Sequence, residues 1–142
     1  MSTTTEQNKT AIQRFFAAWN NRQPEAFDEL VAPDVVRHCQ ATPAIEVRSL
    51  DQLKEFLQQD TATFPDSKQT TVHMVAEGDF VGVWATYEGT QRGPIGPLPA
   101  SGAKTQFDFG AVFRIADGKI AEWWVTWDNM TILLQLGHMP AN

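Results

Sequence analysis

The stretch EWWVTWDN, Glu122 to Asn129, sets three tryptophans around one aspartate, Asp128. Apolar surroundings raise a carboxylate's pKa and make it a usable acid or base near neutral pH. The same residue stands directly before MTILLQLG, where a helix N-cap belongs, and both Asp and Asn serve well there. On spacing alone the cap is the preferred reading. Asn129 could cap in its place and leave Asp128 free for a cavity wall beside Trp124.

Other polar residues are candidates of the same kind. Tyr87, the only tyrosine, falls on a strand and either lines a cavity with its hydroxyl toward a ligand or packs within the sheet. Gln91 closes that strand, where it could hold a ligand carbonyl or face water. His38 could reach the same space or be a hydrogen-bonded core histidine. His73 reads as a half-exposed strand residue and His138 as solvated. Cys39, the only cysteine, excludes an internal disulfide and reads as a small buried hydrophobe. No CxxC or HxxxH appears, so no metal is expected. No Ser-His-Asp order or Gly-rich phosphate loop is present either.

The elements that must position these groups follow from hydrophobic period. Ile12, Phe15, Phe16 and Trp19 recur at i, i+3, i+4 and i+7, one stripe of a first helix over residues 3 to 22, with Thr3 and Glu6 as a capping box. Phe16 and Trp19 are also counted as ligand-binding residues. PEAFDELVAP is a second short helix, opened by Pro24 and stopped by Pro33. DVVRHC is a short strand. Ser49 caps a third helix, with Gln52 at the capping-box position and a stripe of Leu50, Leu53, Phe56 and Leu57, and FPD at Phe64 to Asp66 ends it.

The period then changes to two. QTTVHMVAE, FVGVWATYEGTQ, KTQFDFGAVFRIA and KIAEWWVTW read as strands, joined by tight turns at EGD and ADG, so neighbours run antiparallel. RGPIGPLPASGA between the middle two is a long loop, of the kind that is usually functional. DNMTILLQLG closes the chain as a helix stopped by Gly137. Period two places Phe107, Phe109, Ala111, Phe113 and Ile115 on one face of their strand. On the last strand it groups Ile120, Glu122, Trp124, Thr126 and Asp128 against Ala121, Trp123, Val125 and Trp127. Both groups contain tryptophan, so period does not say which faces inward.

Residues 1 to 142 therefore read as a single α+β domain, a curved antiparallel sheet with N-terminal helices over its concave face and a conical cavity between them. The chain has 142 residues, 42% of them hydrophobic, with a net charge of −6. That balance disfavours nucleic acid and anionic membranes and suits a hydrophobic small-molecule ligand. No stretch reads as a signal peptide or membrane span, so a cytoplasmic protein is expected.

The motifs FPD, AEGDFV, YEGTQRGPIGPLPASGAK, FRIADGKIAEWWVTWDN and LLQLG resemble the SnoaL-like polyketide cyclases, also called ester cyclases, over residues 5 to 140. That family has the NTF2-like fold, a cone-shaped α+β barrel. The resemblance implies a cofactor-free, metal-free intramolecular aldol ring closure. It implies Asp128 as the acid/base, Trp124 and Tyr87 as wall residues, and a homodimer packed through the outer face of the sheet. It turns the reading of Asp128 from cap toward cavity carboxylate. The chain departs from the family at two positions, with Gln91 where GTH is frequent and Trp123 where EHW is frequent. His38 matches a histidine that is frequent after the early strand.

Three functions compete. The first is a lyase or isomerase acting on a carbonyl compound through Asp128. The second is a non-catalytic binder of hydrophobic molecules. The third is a hydrolase of an epoxide or ester using Asp128 to activate water, with Asp108 and Arg114 in support. Those two lie ~20 Å apart along an extended strand, which ranks the hydrolase last.

Overall fold

The computed structural model describes residues 4–140, so the proposed capping residue Thr3 lies outside it. Helix α1 runs Thr4–Asn20, and its stripe of Ile12, Phe15, Phe16 and Trp19 is buried. The end of α1 is pinned by side chains that replace lost helical hydrogen bonds. Asn20 Nδ2 donates to Gln69 O at 2.9 Å, and Asn20 Oδ1 accepts from Gln69 N at 2.8 Å. Arg22 donates to five main-chain carbonyls, those of Trp19, Asn20, Phe64, Pro65 and Ser67, and to Ser67 Oγ at 2.9 Å.

The second helix is shorter than its sequence suggests. Pro24 opens a 3-10 turn, Pro24–Ala26, followed by one helical turn α2, Phe27–Leu30. Strand β1, Val31–Cys39, begins at once and runs through Pro33. Proline lacks the N–H a central strand must donate, but β1 is an edge strand, and its ladder is interrupted between Val31 and Val36. Pro33 is thus tolerated in extended chain rather than ending a helix.

Helix α3 is Leu50–Thr63. Ser49 Oγ accepts from Gln52 N, as expected of the cap, while Gln52 Oε1 accepts from Arg48 N at 2.7 Å, one residue before the position a capping box uses. Four antiparallel strands follow: β2 (Lys68–Glu77), β3 (Phe80–Thr90), β4 (Lys104–Ala116) and β5 (Lys119–Trp127). The turn Asp117-Gly118 has positive φ at both residues, the geometry that joins strands through two residues. Strand β1 adds to β5 in parallel, giving the order β1-β5-β4-β3-β2. Helix α4, Asn129–Leu136, ends at Gly137, whose left-handed φ of 82° is the conformation glycine adopts most freely.

The concave face of the sheet is the one carrying Val81, Val83, Ala85 and Tyr87 on β3 and Phe109, Ala111, Phe113 and Ile115 on β4. On β5 the inward residues are Trp123, Val125 and Trp127. A bulge between Ile120 and Glu122, opposite Ile115 and Arg114, shifts the phase, so Ile120 is buried with Trp123 rather than turned out with Trp124. Helices α1 and α3 cover this face, with Phe15 packing edge-on against Phe113 and Trp123 at 6.2 and 5.6 Å between ring centroids.

Candidate active site

The aromatic faces do not close completely. They leave a cavity of about 470 Å³ lined by α1 through Phe16 and Trp19, by α3 through Phe56 and Asp60, and by the sheet through Tyr87 and Trp127. Such volumes are typical of small-molecule sites, about 300–1,000 Å³. Residues from 41–45, from the loop at 94–96 and from α4 complete the wall.

The carboxylate in this apolar space is Asp60. Tyr87 Oη donates to Asp60 Oδ1 at 2.6 Å, and Ser67 Oγ donates to Oδ2 at 2.8 Å. Arg22 Nη2 in turn donates to Ser67 Oγ, so a cation is relayed to the carboxylate through a hydroxyl. Burial pushes the Asp60 pKa up, and the bonds from Tyr87 and Ser67, the charge of Arg22 and the Trp19 indole oppose it. The indole Nε1 of Trp19 nevertheless lacks a hydrogen-bond partner within ordinary limits. Burial and the adjacent Asp60 push the Tyr87 hydroxyl up as well, which keeps it a proton donor to the carboxylate. Each carboxylate oxygen retains a second lone-pair direction for a substrate proton.

Asp60 also has a legible reason to be there. It continues the apolar stripe of α3 at i+4 from Phe56 and i+3 from Leu57, so the helix turns it toward the same space. A charged residue inside an otherwise apolar stripe was the signal to read. Arg37 was missed in the same way: it follows Val35 by two residues on β1 and shares its buried face.

The residues singled out from sequence fall in three places. Phe16, Trp19 and Tyr87 line the cavity, and the hydroxyl of Tyr87 is aimed at Asp60. Asp128 lies outside the wall. It is exposed, its Oδ1 accepts from Met130 N and its Oδ2 from Thr131 Oγ1, both at 2.9 Å, and it caps α4. Strand parity explains this: Trp127 points inward, so the next residue turns away. Asn129 takes the inward place instead, accepting from Trp127 Nε1 and donating to Ala41 O.

Trp124 and His38 are on the outer face for the same reason. Their rings stack at 5.3 Å between centroids, and His38 Nε2 meets Glu122 Oε2 at 2.6 Å. Glu122 is held below the usual carboxylate range by that bond and by Arg114, whose Nε lies 3.3 Å away. Asp108, which accepts from Thr86 Oγ1 at 2.8 Å, and Arg114 are paired with groups outside the cavity, so the hydrolase set weighed from sequence does not reach it.

Gln91 is fully buried and does not line the cavity. Its amide donates to Gly93 O and Pro99 O, and its carbonyl accepts from Ser101. His138 Nε2 also meets that carbonyl, at 2.8 Å, so His138 is tied to the loop rather than solvated. The loop is held close to α3 as well: a Cβ on Gly93 would lie 2.5 Å from Ala62 O, so only glycine fits.

Among the described residues no group of three or more His, Cys, Asp or Glu side chains could hold a metal ion, and no helix is long and apolar enough to cross a membrane.

A family model described as SnoaL-like polyketide cyclase matches residues 9–136. Comparison with curated proteins returns no match. Among solved structures, the chain is similar to IdmH of Streptomyces antibioticus, a proposed polyketide cyclase. The two are 30% identical with a TM-score of 0.81, over 92% of this chain and 99% of that one. It is similar to TsrD of Streptomyces laurentii at 28% identity and TM-score 0.84, over 97% of this chain and all of that one, with coverage of that chain at 100%. A proposed SnoaL-like polyketide cyclase from Jannaschia sp. CCS1, 22% identical with a TM-score of 0.86 over 99% and 98% of the two chains, shares the fold.

Proposed function

The chain belongs to the SnoaL-like polyketide cyclase family, and from that premise we propose that its cavity catalyses a cofactor-free ring closure or isomerisation of an apolar carbonyl compound, with Asp60 as the acid/base. The observation that carries the reading is a carboxylate whose pKa is raised by burial, held by Tyr87 and Ser67 in the wall of an aromatic cavity.

In this reading Asp60 takes a proton from the carbon α to a substrate carbonyl. The enolate carbon then bonds to a second carbonyl carbon of the same molecule. The alkoxide so formed takes the proton back from the Asp60 carboxylic acid, so the product is an isomer of the substrate and nothing is consumed. Aromatic walls exclude water and hold the chain folded, which supplies proximity. Asp128, the residue implied by family resemblance, serves α4 instead.

Exchange of α-protons for deuterium in 1-tetralone, followed by NMR, tests the proton abstraction without knowledge of the natural substrate. Asp60→Asn is expected to slow the enzyme-dependent exchange by about 10²-fold or more. Asp128→Asn keeps a good capping residue and is expected to leave exchange unchanged. The reverse pattern returns catalysis to Asp128. No exchange above background with wild-type protein, with the ligand bound and recovered intact, leaves a binding protein.

We also propose a homodimer through the outer face. Val75, Trp84, Val112 and Trp124 project from that face and are exposed, Trp84 to 47%, an apolar patch of the sort that marks an interface. Sedimentation equilibrium is expected to give twice the 15.9 kDa chain mass, and Trp84→Glu a monomer. A wild-type monomer at high micromolar concentration refutes the assignment.

A further inference from the structure

One cation in the cavity wall forms no ion pair among the described residues. Arg37 is only 8% exposed and lines the cavity. Its guanidinium carbon lies 4.3 Å from the ring centroid of Phe56 and 5.7 Å from that of Trp127, between α3 and β5. Its Nη1 is shut off from solvent and has no hydrogen-bond acceptor. The Cys39 sulfur acts on the group by charge and by a hydrogen bond, the Asp60 carboxylate by charge, and burial works against the cation more strongly than any of these, with Nη1 still unpaired.

A buried guanidinium stays charged, and leaving it unpaired is costly where an apolar side chain would fill the same space. Stacking on Phe56 and Trp127 compensates the faces of the group. It does nothing for the N–H edge. That edge is a planar fork matched to a carboxylate. Asp60 does not fill it: its oxygens accept from Tyr87 and Ser67, and it acts on Arg37 through charge alone.

We propose that Arg37 is the anion-binding residue of the cavity and that the ligand is an apolar acid whose carboxylate it holds. The carboxylate lies against the Arg37 edge, and the apolar body lies along the rings of Phe16, Trp19 and Trp127 that line the same space. Asp60, at a different point of the wall, is left to act on the body of the ligand. The inference rests on the cavity being the substrate site, as proposed above, and not on which residue is the base.

Calorimetric titration with 2-naphthoate and with its methyl ester decides the matter, because the two differ in charge and little in apolar body. The acid is expected to bind wild-type protein at least about tenfold more tightly, the scale of a charge-assisted bond. Arg37→Met is expected to abolish that preference and Arg37→Lys to keep part of it. Equal affinities for acid and ester, or no binding of the acid, overturn the assignment on wild-type protein alone, whatever the variants do. A preference that survives in folded Arg37→Met overturns it too. Loss of 1-tetralone exchange control by Asp60 with the acid preference intact removes the acid/base reading and not this one. The opposite combination removes only this one.

Discussion

The two sides of the sheet hold nearly the same kinds of side chain and use them in opposite ways. On the concave side a carboxylate, Asp60, sits with an arginine-backed hydroxyl and tryptophan. On the convex side a carboxylate, Glu122, sits with an arginine, a histidine and tryptophan. Burial raises the first pKa, and hydrogen bonds lower the second where desolvation is slight. Residue type therefore did not decide the chemistry of either cluster. Side-chain direction did, through whether water could reach the charge.

Trp123 and Trp124 give that contrast its largest test, since they are adjacent in sequence and 4% and 41% exposed. Trp123 packs on Phe113 at 5.4 Å and on Phe15. Trp123→Ala is expected to cost about 3–5 kcal/mol in denaturant unfolding, the range for emptying an aromatic core site. Trp124→Ala should cost the single chain under about 1 kcal/mol, as for other surface substitutions, and appear instead as weaker self-association. Comparable losses in dilute protein for the two variants would break the distinction between the faces.

Much of the fold was legible because local pattern and tertiary need agree. The stripe of α1, the Ser49 cap and all four antiparallel strands were readable from period and turn residues. Readability failed where a distant partner decides. Pro33 marks a helix stop locally, yet the edge position of β1 accepts it in a strand. The parity of β5 could not be set from its own residues, because tryptophan occurs on both faces and the bulge before Glu122 moves Ile120 across. That ambiguity left the family resemblance to set Trp124 and Asp128 in the expected cavity.

The polar residues show the same limit. Gln91 reads as a ligand contact because its partners, Gly93, Pro99 and Ser101 from the loop and His138 from beyond α4, lie in segments with no regular pattern. Arg37 and Asp60 were passed over because Phe56, Trp127, Tyr87 and Ser67 reach them from other elements. What sequence did offer was the anomaly, a charge at a position where period demands an apolar side chain.

A smaller and sharper test follows from proton linkage. The folded protein holds the Asp60 proton more tightly than the unfolded chain, whose value is near 3.8. The resulting stabilisation is fully present below that value and is lost as pH rises through the folded pKa. Glu122 behaves oppositely: its folded pKa lies under the ordinary 4.5, so its contribution is present above 4.5 and lost as pH falls through the folded value. Unfolding free energies of wild type, Asp60→Asn and Glu122→Gln, measured by denaturant from pH 3 to 8, should therefore diverge. Relative to Asp60→Asn, wild type is expected to weaken as pH rises. Relative to Glu122→Gln, it is expected to strengthen, and added salt should erase most of that gain because the pair is exposed. Substituting asparagine also disturbs the bonds from Tyr87 and Ser67, but that offset does not vary with pH, so the slope carries the answer. Two slopes of the same sign would mean that solvent reaches both carboxylates alike, and the assignment of Asp60 as the enclosed acid/base would fall with the contrast between the faces.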